Sequence, residues 1–228
     1  MITDDKRIRI ITGHYGSGKT EFAVNYAMKL SKMIPEGRKL ALADLDIVNV
    51  YFRSREKKEE MQKEGIQVIS SSVEATSLDM PAVSAAMTTP VRDHTYEYVV
   101  DLGGNDVGTM VLGRLKPILK HDEVDFFMVV NAYRPDTSTP EGVIEQMEKI
   151  QNASGLKITG FINNTNLIRE TTPECFLTGD TLLKEVEKRT GVPVRYFSYV
   201  EELLTGEIPE GLSGEKFPMK FYMRTTWM

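Results

Sequence analysis

Ile8-Arg9-Ile10-Ile11-Thr12-Gly13-His14-Tyr15-Gly16-Ser17-Gly18-Lys19-Thr20 opens as a β-branched apolar run, breaks at a glycine and leads into a stretch of helical periodicity. From Gly13 to Thr20 it matches G-x-x-x-x-G-K-[ST] in full, between a strand and an amphipathic helix, the context in which that spacing binds phosphate. Gly16 and Gly18 let backbone N–H groups turn inward around an anion with no Cβ in the way. Lys19 supplies positive charge for the β- and γ-phosphates of a nucleotide. The Thr20 hydroxyl is placed to ligate Mg²⁺, and the positive end of the following helix adds to the anion site.

Outward from this loop, short apolar β-rich runs alternate with longer helical stretches, the pattern of βαβ units around a parallel sheet. The predicted strands are Ile8–Thr12, Lys39–Ala43, Ile66–Ser70, Tyr98–Asp101, Asp125–Val130, Lys157–Ile162 and Val192–Phe197. They are apolar on both faces, as expected when helices cover both sides. A helix over Thr20–Met33 aligns Phe22, Tyr26, Ala27, Leu30 and Met33, and one over Asp106–Lys120 aligns Val107, Met110, Val111, Leu115 and Ile118, with Pro117 disturbing its last turn. A third starts at Thr139 as N-cap with Pro140 behind it and presents Val143, Met147 and Ile150; a fourth ends at Gly191 after Leu182, Leu183 and Val186. The expected architecture is a three-layer α/β/α fold with a mostly parallel sheet of about seven or eight strands. Repeats and long linkers are not visible, so residues 1–228 are read as one domain. The least regular stretches, Asp46–Arg55 and Thr165–Thr178, follow strand ends, where an open α/β sheet binds ligands.

Two more strand ends carry acids. Asp44-Leu45-Asp46 closes the second strand, and alternation puts both carboxylates on one side, to hold a Mg²⁺ water shell or to orient an attacking water. Tyr98-Val99-Val100-Asp101-Leu102-Gly103-Gly104 is an apolar strand ending in an acid, the pattern of a segment whose Asp binds Mg²⁺. Gly103 and Gly104 permit close approach to a γ-phosphate.

Bulk composition narrows the function classes. With 28 Lys and Arg against 33 Asp and Glu, a net charge of −5 gives no support for nucleic-acid binding. Cys175 is the one cysteine, which excludes an internal disulfide, a CxxC redox pair and a zinc knuckle. The polar N-terminus and the lack of a long apolar run point to a cytoplasmic protein with membrane association unlikely to be its role.

In the order of these parts the chain resembles the deviant Walker A P-loop ATPases of the MinD and ParA type, relatives of the nitrogenase iron protein in the SIMIBI class. The resemblance runs from Ile8 to about Phe197. Its elements are Gly16–Thr20, Asp44-Leu45-Asp46 as switch I, Asp101-Leu102-Gly103-Gly104 as switch II, and the strand Thr159-Gly160-Phe161-Ile162-Asn163-Asn164. It implies that Asn164, with Asn163 as the fallback, contacts adenine, that Asp46 positions water, and that ATP drives a face-to-face homodimer. Three positions depart from the family. His14 stands where a signature lysine reaches across that dimer, and a mostly neutral imidazole is a weaker phosphate clamp. Tyr15 replaces a more usual glycine, and Glu21 a hydroxyl residue. Guanine recognition by Asn-Lys-x-Asp has no match after Asn163, which favours ATP over GTP.

The expected site is therefore Lys19 and Asp46 as catalytic residues; Gly13, His14, Tyr15, Gly16, Ser17, Gly18, Lys19, Thr20, Glu21, Gly103 and Asn164 around ATP; and Thr20, Asp44 and Asp101 around Mg²⁺. Arg134, in Asn131–Asp136 after the fifth strand, is a weaker candidate. His94 and His121 lack metal-ligand spacing, and Ser70-Ser71-Ser72 reads as a strand end. The apolar tail Phe217–Met228, within 205–228, is expected to pack on its own domain, with a partner contact next and membrane last. The functional expectation is an ATP-binding switch with slow hydrolysis and an unidentified protein partner. The alternatives are a small-molecule synthetase or kinase of the dethiobiotin-synthetase type, and a non-hydrolysing ATP sensor.

Overall fold

The computed structural model describes residues 2–46, 58–70, 85–104, 112–113, 115–204 and 206–223. Its strands are β1 (Ile8–Gly13), β2 (Lys39–Leu45), β3 (Ile66–Ser70), β4 (Tyr96–Leu102), β5 (Val124–Val130), β6 (Gly160–Asn163), β7 (Val194–Val200) and β8 (Glu215–Met219). They form one eight-stranded sheet in the order β3-β2-β4-β1-β5-β6-β7-β8. Every pairing in it is parallel. The helices are α1 (Lys19–Leu30), α2 (Lys58–Lys63), α3 (Ala85–Arg92), α4 (Pro140–Ser154) and α5 (Pro173–Thr190).

Alternation along each strand divides the core between the two faces of the sheet. Ile8 and Ile10 of β1 and Phe126, Met128 and Val130 of β5 join Val91, Val143, Ile150, Leu183 and Val186 from α3, α4 and α5. Ile11, Phe127 and Val129 face the other way, onto Phe22, Tyr26 and Ala27 of α1 and Met61 of α2. Helices on both faces make the three layers, and both faces of the central strands are apolar because neither meets water.

Topology decides where the chemistry collects. From β1 the chain moves to β2 and β3, returns to β4 beside β1, and then proceeds through β5 to β8 on the other flank. β1 therefore lies at the point where the order reverses, with Ile11 opposite Asp101 on β4 and Thr12 opposite Met128 on β5. In a parallel sheet the carboxyl ends of all the strands open on one edge, and that reversal leaves a crevice there.

Several sequence boundaries shift. The predicted strand Lys157–Ile162 begins only at Gly160, and Val192–Phe197 becomes Val194–Val200. The irregular segment expected to reach Thr178 ends earlier, because Pro173 starts α5. The Thr139 side chain does cap α4, accepting from the Gly142 N–H, and Gly155 ends that helix in a left-handed conformation. Much of the predicted Asp106–Lys120 helix lies outside the described residues; Lys116–Ile118 is a 3-10 turn entered through Pro117. Ser71 and Ser72 are also outside.

β8, like α2 and α3, is an element that periodicity did not reveal. It pairs with β7, Ser198 opposite Phe217, and drives Phe217 against Phe22 at a ring distance of 4.6 Å. Tyr26 and Tyr196 complete that aromatic cluster, and Lys29 lies 4.2 Å over the Phe217 ring. Beneath it, the buried Asp5 carboxylate accepts from Tyr26 Oη at 2.6 Å, from Arg195 Nη2 at 2.6 Å and from Tyr196 Oη, tying the N-terminal segment to α1 and β7. Among the described residues no helix is long and apolar enough to cross a membrane.

Phe217→Ala removes a buried ring from between α1 and β7, and is expected to cost ~3 kcal/mol in urea unfolding. A loss under about 1 kcal/mol would show that the edge strand is dispensable to the core.

Candidate phosphate-binding site

The loop after β1 is closed by the Ser17 N–H donating to His14 O at 3.0 Å, and α1 begins at once, with the Phe22 N–H reaching Gly18 O at 3.0 Å. Gly18 is its N-cap at φ 87°. A Cβ there would lie 2.3 Å from Asn164 Nδ2, so glycine is required by backbone and space together. Gly103 is buried at the end of β4. The next residue, Gly104, comes so close that a Cβ on it would lie 2.4 Å from Gly13 O. The β4 exit thus presses directly on the loop.

Around the loop sit one lysine and three carboxylates, all buried. Lys19 Nζ is 2.7 Å from Asp46 Oδ2, and the Asp46 N–H donates to Asp44 Oδ1 at 3.2 Å. Asp46 lies one residue past β2, and Asp101 is opposite Asp44 in the β2–β4 ladder, so parallel pairing gathers acids that are far apart in sequence. Asp101 is fully enclosed. Burial pushes its carboxyl up to about 7; Lys19 and the nearby Thr20 hydroxyl pull it down, while Asp44 and Asp46 push it up.

Thr20 Oγ1 and both Asp101 carboxylate oxygens are buried without a hydrogen-bond partner of good geometry. Buried polar atoms are nearly always well paired, so three enclosed oxygens that find at most a poor contact with one another call for a ligand. Hydroxyl and carboxylate oxygens are the donors a hard divalent cation takes, and the acids outnumber the lysine, so the residues fit Mg²⁺. Among the described residues no group of three or more His, Cys, Asp or Glu is disposed to hold a metal.

Beside the loop, toward β6 and β7, lies a cleft of about 640 Å³ counting its open mouth. Its floor is Gly16, Ser17 and Gly18, and its walls include Asn164, Ile168, Phe176, Tyr199, Leu204, Met219 and Phe221. A mostly apolar cleft continuous with a phosphate loop has the chemistry to contact a heteroaromatic ring. Ile168 has φ 59°, an uncommon conformation for a β-branched residue, held by its N–H to Asn166 Oδ1 at 3.2 Å and by Thr171 Oγ1 donating to its carbonyl at 2.7 Å.

The remaining sequence candidates divide. The Asn164 side chain lines the cleft but is engaged within the protein: Nδ2 donates to Ser17 O at 2.7 Å and Oδ1 accepts from Ser198 Oγ at 2.9 Å. Asn163 accepts from the Thr165 N–H and lies against α5, away from the loop. Arg134 Nε donates to Gly16 O at 2.9 Å, bracing the loop. His14 Nε2 is 3.3 Å from Asp136 Oδ2. Tyr15 is 66% exposed at the loop tip. Glu21 turns its carboxylate to the N–H groups of Tyr222 and Met223. The switch segments Ile47–Arg55 and Asn105–Gly108 lie outside the described residues. Ile168 falls within the stretch Thr165–Thr178 expected near a ligand, whereas sequence reading missed Ser198, Asp136 and Phe221, none of which has a local signature.

No family model matches the sequence, and no curated protein matches it. Among solved structures the chain is similar to the signal recognition particle receptor FtsY from Elizabethkingia anophelis, at 16% identity and a TM-score of 0.50, over 84% of this chain and 57% of that one. A nucleotide-binding protein from Archaeoglobus fulgidus in complex with ADP overlaps at 14% identity and a TM-score of 0.47, covering 83% of this chain and 79% of that one. A ParA family ATPase from Chlorobium tepidum TLS is more distant, at 13% identity and a TM-score of 0.29, over 81% and 93%. The chain spans little more than half the length of the FtsY receptor. At such identities the likeness concerns architecture: the parallel eight-stranded sheet with its loop at β1 is the three-layer α/β/α fold of the P-loop NTPases.

The raised Asp101 carboxyl has a stability consequence. Its folded pKa of about 7 exceeds the ordinary 3.8, so the folded chain holds a proton that the unfolded chain has released, and metal-free stability falls as pH rises from about 4 to about 7. Asp101→Asn, measured in chelator at pH 8, is expected to stabilise the fold by on the order of 1–4 kcal/mol. An equal loss of stability would mean that the charged carboxylate is satisfied in the metal-free fold.

Proposed function

We propose that this chain binds Mg-ATP in the loop Gly13–Thr20 and hydrolyses it slowly, acting as a nucleotide-controlled switch. The observation that carries the reading is the convergence of Lys19, Asp46 and the orphaned oxygens of Thr20 and Asp101 at the mouth of a phosphate loop. In it, Gly16, Ser17 and Gly18 present backbone N–H groups to the phosphates, and Lys19 neutralises the β- and γ-oxygens. Thr20, Asp101 and Asp44 hold Mg²⁺, which would supply charge neutralisation between the terminal phosphates.

Asp46 is the water-positioning residue. It is the ion-pair partner of Lys19, so a γ-phosphate engaging that lysine competes for the same ammonium and leaves the carboxylate available to orient a nucleophile. Phosphoryl transfer asks for little beyond positioning and electrostatics, and these groups provide both. The cleft walled by Ile168, Phe176 and Tyr199 takes the base, and the Asn164 amide locks the loop to β6 and β7 rather than reading the base directly. The absence of Asn-Lys-x-Asp after β6 favours adenine. The reading includes a cytoplasmic location, one domain over residues 1–228, and a protein partner whose affinity changes with the nucleotide. The family resemblance also implies a nucleotide-driven homodimer, in which His14, 3.3 Å from Asp136, stands where the signature lysine would.

Phosphate release should be measured with Mg-ATP and with Mg-GTP, alongside Lys19→Ala and Asp46→Ala. The expected result is turnover with ATP on the slow side of enzymatic rates, lost by at least about a hundredfold in both variants. Tight ATP binding without turnover would sink the hydrolytic reading, and turnover restricted to GTP would overturn the base assignment.

A further inference from the structure

Two features of the sequence have no part in the reading above: an acid at position 21, beside the phosphate loop, and an apolar C-terminus. The structure joins them. Glu21 lies in the first turn of α1, two residues after Lys19, and its carboxylate accepts the N–H of Tyr222 at 2.5 Å and of Met223 at 3.1 Å. One turn further, Asn25 satisfies both backbone groups of Lys220, donating to its carbonyl at 2.9 Å and accepting its N–H at 2.8 Å. Residues four apart share a helix face, so Glu21 and Asn25 form one rail along which the strap from Lys220 to Met223 is pinned through its backbone. Met219 and Met223 at its two ends are buried, while Met219 and Phe221 line the cleft opposite Ile168 and Tyr199.

Resting on the assignment of that cleft to a nucleotide base, we propose that the strap 219–223 is a latched wall of the nucleotide site. Glu21 and Asn25 are the positioning residues that hold it shut. The latch and the phosphate loop share the first turn of α1, so the strap and the loop are coupled through a single rigid element. A charged acceptor with two oxygens is the strong choice for two adjacent amides, which accounts for Glu21 at this position. Phe221 then contributes apolar contact to the ring without any polar role. Coupling of this kind is reciprocal: if a docked strap strengthens binding by some factor, bound nucleotide must stabilise the docked strap by the same factor.

Hydrogen exchange of the peptide spanning 219–223 and the affinity for Mg-ADP would be measured on the full chain, with Glu21→Ala and Phe221→Ala. In the unsubstituted protein Mg-ADP is expected to slow strap exchange. Glu21→Ala should speed exchange without ligand and weaken Mg-ADP on the order of tenfold. Phe221→Ala, which leaves both latch residues intact, should weaken Mg-ADP while ligand-free exchange stays as it was. A strap loosened by Glu21→Ala with Mg-ADP affinity unchanged would overturn the latch, as would strap exchange indifferent to Mg-ADP. An unsubstituted chain that binds neither Mg-ADP nor Mg-ATP would remove the nucleotide reading itself, which separates that failure from failure of the latch alone.

Discussion

A lysine ammonium 2.7 Å from a carboxylate, with both side chains under a tenth exposed, is the constraint on which the site turns. Such a pair loses hydration that its mutual attraction only partly restores, and removing either partner strands the other as a buried charge. Here two more acids share the enclosure, and one of them, Asp101, is held near neutral titration by its burial, with Asp44 and Asp46 adding to the push and Lys19 opposing it. The arrangement is poor for stability in isolation and well suited to a polyanion accompanied by a divalent cation. Buried polar groups left unsatisfied mark places where a fold is shaped for something other than itself.

The surrounding scaffold keeps that charge cluster from relaxing. Gly18 stands against the Asn164 amide, which is fixed in turn by Ser198 of β7, and Gly104 backs onto Gly13. Arg134, from the loop after β5, reaches the Gly16 carbonyl. The phosphate loop is thereby braced from β4, β5, β6 and β7; β4 and β5 flank β1 directly because the sheet order reverses there, and β6 and β7 follow β5. Preorganisation of this kind places donors before a ligand arrives, the condition under which electrostatic stabilisation is largest.

The far edge of the sheet supports the site in another way. β8 brings Phe217 into the aromatic cluster of α1 and β7, and the chain that leaves it passes directly along the first two turns of α1.

What the sequence determined by itself was everything encoded within a few residues. Gly13–Thr20 announced the phosphate loop because its function is a local backbone shape, and the strands were readable because burial on both faces leaves unbroken apolar runs. Thr139, Pro140 and Gly191 set helix ends by their own conformational preferences. Tertiary structure alone decided which acids meet, since the pairing of Asp44 with Asp101 depends on β2 and β4 lying side by side. It joined the Asn164 side chain to the phosphate loop and to β7, made an edge strand of Glu215–Met219, and gave Glu21 a partner some two hundred residues away. Those roles are contacts between distant segments, and periodicity, which measures only how near neighbours share a face, carries no information about them.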